Sequence, residues 1–278
     1  MKALARRSVI ASAVAIAALA AGGAHAAVFN PFDVIAPGTG TSTHAFTADK
    51  ITGNYNETVT FNSNGTFNVA LYWSAGQFVG NSGQTAYNAN TTGLGSTYGV
   101  YALYTASGTV SKSGSATTFT FDDHGGSLAM YLDRGLNTTV GMPGTATGAF
   151  LLSGSGDDVL LATGEPLSGE GTLDPTLSTC TNGSGGNSGI NCGSFGSTTS
   201  FDLTGAGAAF FVSPNPFYNL SFQSGHLNNF SPNGTQNING SLDVVFDSGS
   251  NPVPEPASLA LLGLGLLGLG AARRRRQA

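Results

Sequence analysis

Two pairs of adjacent carboxylates are the residues best suited to chemistry: Asp122 and Asp123 in FDDHGG, and Asp157 and Asp158 in SGDDVL. Hard oxygen ligands on glycine-rich turns suit Ca²⁺, so Asp122, Asp123, Asp157 and Asp158 are the candidate metal ligands. Aspartate also occupies such turns for its own turn geometry, with no ion bound, and that plain reading is the expected one. Beyond Ca²⁺ no cofactor is expected. Paired carboxylates also serve glycoside hydrolysis, but that chemistry depends on a separation the sequence does not give. His44, His124 and His226 are too far apart in the chain for a local metal-ligand pair. There is no G-x-S-x-G elbow, phosphate-binding loop or dinucleotide fingerprint. No catalytic residues are assigned, and no enzyme is expected. The alternative is a secreted hydrolase acting on polysaccharide. Tyr72, Trp73, Tyr87, Tyr98, Tyr101 and Tyr104 could stack on sugar rings, although such residues in strands mostly fill the core. Cys180 and Cys192 flank TNGSGGNSGIN. In an oxidising compartment a disulfide is their default, closing a loop for about 3 kcal/mol.

Strands must position these groups. In ETVTFNSNGTFNVALYWS, Val59 and Phe61, then Phe67, Val69, Leu71 and Trp73, alternate with polar or smaller residues. Asn64-Gly65 between them predicts a type I′ hairpin turn. Similar runs follow at 98–106, 116–121, 127–133, 148–154, 158–164, 197–205, 208–212 (AAFFV), 217–223 and 241–247. No amphipathic helical window interrupts them. The expected fold is all-β: an antiparallel β-sandwich or jelly-roll-like domain.

The ends read differently. Lys2, Arg6 and Arg7, an apolar run and AHA form a secretory signal peptide over 1–26, which implies the Sec translocon and signal peptidase as partners. The β-rich secreted domain spans 27–248, a linker 249–253, and a sorting or anchor segment 254–278. In residues 27–253, 14 acidic residues face 3 basic ones, a net charge of −11. Phosphate binding needs clustered cations, so no nucleic-acid partner is expected and anionic lipid is a poor one. Ala257–Ala272 is uncharged. As a helix it would span about 24 Å at 1.5 Å per residue, short of a stable crossing. Arg273, Arg274, Arg275 and Arg276 would hold it from the cytoplasmic side. This predicts a transient inner-membrane tail anchor.

Pro254-Glu255-Pro256, a short apolar run and a terminal arginine cluster, in that order, resemble the PEP-CTERM sorting signal. The resemblance implies processing by exosortase in a Gram-negative bacterium that makes exopolysaccharide. The alternative is a permanently membrane-anchored structural surface protein. The body resembles the flocculation-associated PEP-CTERM protein family, through DKITGNYNETVTFNSNGTFNVALYWSAGQFV, YGVYALYT, LLATG, GTLDPTLSTC, NCGSFGSTTSF, FYNLSFQSGHLNNF and INGSLDVVF. That resemblance implies a non-catalytic role in floc formation. It places the protein at the cell surface or in the biofilm matrix, with extracellular polysaccharide as partner.

Overall fold

The structure, a computed structural model, describes residues 29–180, 191–225 and 227–247. The segments read as signal peptide and sorting tail lie outside them. The chain enters through β1 (Phe32–Pro37) and β2 (Thr43–Ala48), then forms the long hairpin β3 (Lys50–Phe61) and β4 (Thr66–Gly80). β5 (Thr85–Ala86) and a one-turn helix α1 (Ala89–Thr92) lead to β6 (Gly99–Ser113), β7 (Ala116–Phe121) and β8 (Ser127–Asp133). A small hairpin of β9 (Thr139–Gly141) and β10 (Leu151–Ser153) precedes β11 (Val159–Gly164) and β12 (Pro166–Leu173). The rest comprises β13 (Gly193–Thr199), β14 (Asp202–Leu203), α2 (Gly205–Phe210), β15 (Phe211–Ser213), β16 (Asn219–Ser224) and β17 (Gly234–Asp247).

The antiparallel all-β class holds. Its form is an eight-stranded barrel: pairing runs β6–β7–β12–β13–β16–β17–β3–β4 and returns from β4 to β6, from Thr66↔Thr109 to Ser74↔Tyr101. Closure depends on the length of β6, 15 residues. One side of β6 pairs with β4; the other pairs with β8 along its first half and with β7 along its second. β8, β11 and β14 therefore fan away from the barrel as a wing.

Side chains alternate between faces, so the barrel interior is built in layers. Across β17, β3, β4 and β6 the directly opposed inner residues are Gly240–Tyr55–Trp73–Ala102, then Ile238–Glu57–Leu71–Tyr104, then Gly234–Phe61–Phe67–Gly108 at the rim. Trp73 is fully buried and donates its Nε1–H to the Leu242 carbonyl at 3.0 Å. Its indole occupies the space a Cβ at Gly53 would take. The far end of the barrel is stoppered by rings. Phe32 of β1 packs edge-on against Phe246 at 4.8 Å and Phe211 at 6.0 Å. The small sheet β15–β1–β2 carries this plug.

Two local expectations are corrected. The β3–β4 turn is not type I′, because Gly65 (φ 81°) takes a positive φ and Asn64 does not. The Asn64 side chain instead accepts from Thr66 N and Oγ1 at 3.1 and 2.8 Å, an Asx-type turn that replaces the left-handed backbone. AAFFV is not one strand. Thr204 accepts from Gly207 N and caps α2, and β15 begins only at Phe211; a local cap outweighed the apolar run.

Cys180 and Cys192 form the expected disulfide, with Cα atoms 4.4 Å apart and both residues fully buried. A Cys180→Ala/Cys192→Ala protein should lose about 2–3 kcal/mol by loop-closure entropy, read from its urea midpoint. An unchanged midpoint would mean that neighbouring contacts, such as Thr179 Oγ1 to the Asn191 carbonyl at 2.8 Å, already close the loop. Among the described residues no helix is long and apolar enough to cross a membrane.

Candidate functional site

The outer faces of β4, β6 and β8 carry a row of tyrosines. Tyr101 and Tyr131 are directly paired across β6 and β8. Their rings stack at 5.1 Å with an interplanar angle of 18°. Tyr72 of β4 extends the row, 6.1 Å from Tyr101. Tyr101 is buried in the middle, while Tyr72 and Tyr131 stay half-exposed on either side.

The row ends on carboxylates. The Tyr101 hydroxyl donates to Asp158 Oδ2 at 2.6 Å. Burial, reinforced by this bond and the Asp158 charge, pushes the Tyr101 hydroxyl up, so it keeps its proton and remains a donor. Thr138 Oγ1 donates to both Asp158 oxygens at 3.0 and 2.9 Å. Asp133, at the end of β8, accepts from the backbone N–H groups of Gly135, Asn137 and Thr138. One carboxylate oxygen from each of Asp133, Asp157 and Asp158 lies within 4.8 Å of the others. That spacing fits oxygens around a Ca²⁺ ion. It equally fits a set of hydrogen-bond acceptors for sugar hydroxyls.

The four sequence candidates thus separate. Asp157 and Asp158 sit together, joined by Asp133, which sequence spacing missed. Only the β8–β11 pairing, Val159↔Leu132, brings Asp133 alongside. Asp122 and Asp123 lie elsewhere. Asp122 accepts from Ser107 Oγ at 2.8 Å. Asp123 lies 3.4 Å from His124 Nε2, and His124 Nδ1 meets Glu165 Oε2 at 2.6 Å. The Glu165 hydrogen bond first, then the Asp123 charge, raises the affinity of the exposed His124 for its proton.

The aromatic candidates also divide. Trp73, Tyr98 and Tyr104 are core residues, 0%, 0% and 2% exposed. Tyr87 packs on Phe46 at 6.1 Å. Tyr72 and Tyr101 belong to the ladder. Tyr131 was missed; its signal was its alternation with Met130 and Leu132 in SLAMYLD.

The sorting residues Pro254, Glu255, Pro256 and Arg273–Arg276 lie outside the described residues, beyond the end of β17 at Asp247. The PEP-CTERM protein-sorting motif matches residues 252–276. The chain carries a PEP-CTERM sorting signal. It is therefore an exosortase-sorted, exported protein of the cell envelope or surface. The PEP-CTERM motif makes exosortase its processing partner. No curated protein and no solved structure matches the chain.

Proposed function

We propose that this exported PEP-CTERM protein supports floc formation by associating with exopolysaccharide, without catalysing a reaction. On this reading a Gram-negative cell exports it through Sec, signal peptidase removes residues 1–26, and exosortase processing leaves the barrel at the surface or in the matrix. The observation that carries the reading is the Tyr72–Tyr101–Tyr131 row ending on Asp133, Asp157 and Asp158. An exposed ring face matches the apolar face of a pyranose, and carboxylates beside it accept sugar hydroxyl protons. The acidic body favours a neutral glycan over an acidic one.

Two experiments test this. A deletion strain should become planktonic while its polysaccharide output is unchanged; persistent flocs would sink the floc role. Purified Tyr72→Ala/Tyr131→Ala protein should bind the purified polysaccharide about tenfold more weakly, the loss expected from two ring contacts. Undiminished binding by the folded variant would remove the ladder from the reading.

A further inference from the structure

The barrel is not filled at its rim. Phe61, Phe67, Phe119, Phe121, Phe195 and Phe230 line a cavity there of about 40 Å³, counted over positions open to the centre of a water-sized atom. One water occupies roughly 10–15 Å³ on that measure, so the space admits a group about three waters in size. Phe230, between β16 and β17, lies nearly parallel to Phe61 at 6.1 Å and to Phe119 at 6.0 Å.

Glu57 is the one carboxylate in this wall among the described residues, beside Tyr104, whose hydroxyl is bonded to Ser197 Oγ. Glu57 is 9% exposed and lines the cavity. No Lys, Arg or His lines the cavity among the described residues. A carboxylate so placed meets no cation in the wall, and burial disfavours its charged form. An anion would be repelled. A neutral apolar molecule would satisfy the rings and leave the carboxyl unanswered. A compact organic cation answers both, because aromatic rings attract a cation through their quadrupoles and the carboxylate pairs with it.

We propose that the rim cavity binds a small organic ammonium cation, with Glu57 as counter-ion and the phenylalanine wall as its cage. The site lies inside the barrel, whereas the tyrosine ladder lies on its outer face, so either can fail without the other. Proton and cation compete for Glu57. Burial pushes its carboxyl up to about 7, so binding below that pH releases a proton. The other titratable groups near it are Tyr55 on its own strand and Tyr104 on β6. Burial, with a contribution from the Glu57 charge, raises both, so both stay neutral. β4 and β17 oppose Glu57 with Leu71 and Ile238, which do not titrate. His226, beside Leu227 in sequence, lies outside the described residues.

Calorimetric titration of the purified full chain with tetramethylammonium chloride tests this. tert-Butanol serves as the neutral shape match and sodium chloride as the ionic control. Tetramethylammonium should bind about 30-fold more tightly at about pH 8.5 than at about pH 5.5, following the ionised fraction of Glu57. About one proton should be released at the lower pH and almost none at the higher. Glu57→Gln should abolish the binding, and His226→Gln should leave the pH profile in place. Phe230→Ala keeps the carboxyl but removes one wall, and should weaken binding several-fold with the same pH slope; this arm stands if the Gln variant fails to fold. The proposal is overturned by tert-butanol binding as tightly as the cation, by a flat pH profile, by cation binding retained in Glu57→Gln, or by no saturable heat at all.

Discussion

Replacing Trp73 by Ala is expected to remove about 4 kcal/mol of stability, in the range of fully buried aromatic truncations. The indole is 0% exposed and fills the barrel layer between Tyr55 and Ala102. Its Nε1–H bond to the Leu242 carbonyl ties β4 to β17, strands separated by β3. Gly53 yields its Cβ space to the ring, so nothing nearby can move in to fill the void. Trp73→Phe keeps most of the volume and loses the hydrogen bond, which should cost about 1 kcal/mol for the bond, with a smaller packing loss. Urea unfolding of both variants reads the two contributions apart. A loss below about 1 kcal/mol for the Ala variant would mean that the interior layers are not packed around this ring. Since small domains hold about 5–15 kcal/mol in total, the Ala variant should also accumulate poorly.

What could be read from the sequence was local. Alternation in residues 116–121 and 127–133 fixed β7 and β8 to the residue, because a half-buried strand writes its period directly into the chain. Barrel closure was not legible. It rests on β4 pairing with β6 across residues 81–98, and on β6 changing partners half-way along one edge. Neither leaves a trace in hydrophobic period. The same limit governed the site. Asp157 and Asp158 announced themselves as neighbours, whereas Asp133 joins them only through the wing strands. Glu57 passed unnoticed for a different reason. Its alternation with Tyr55 and Val59 points it inward, but a single charged residue at a strand's inward position ordinarily marks an exposed or edge site. Closure of the barrel turned that position into interior.

That enclosure gives the protein a stability that falls as pH rises. Glu57 has an ordinary carboxyl in the unfolded chain, near 4.5, and burial pushes it up to about 7 in the fold. Between those values the native state holds a proton that the unfolded state releases. Unfolding therefore gains with each step up in pH. The contribution is fully present below about pH 4.5 and is lost as pH rises through about 7, for a total of about 3 kcal/mol at 1.36 kcal/mol per pKa unit. Glu57→Gln cannot ionise and should lack this dependence. Other carboxylates also titrate, and the acidic body gains self-repulsion at higher pH, so the informative quantity is the difference between the two proteins. Urea midpoints at about pH 5 and about pH 8.5 should show the wild type losing about 2.5 kcal/mol relative to the variant, because part of the total is already lost at about pH 5. Parallel profiles would mean that the carboxyl already meets a compensating group or bulk water in the native barrel. An excess of tetramethylammonium at the higher pH should restore part of the loss in the wild type alone, because a ligand that binds only the folded, ionised form stabilises it by mass action.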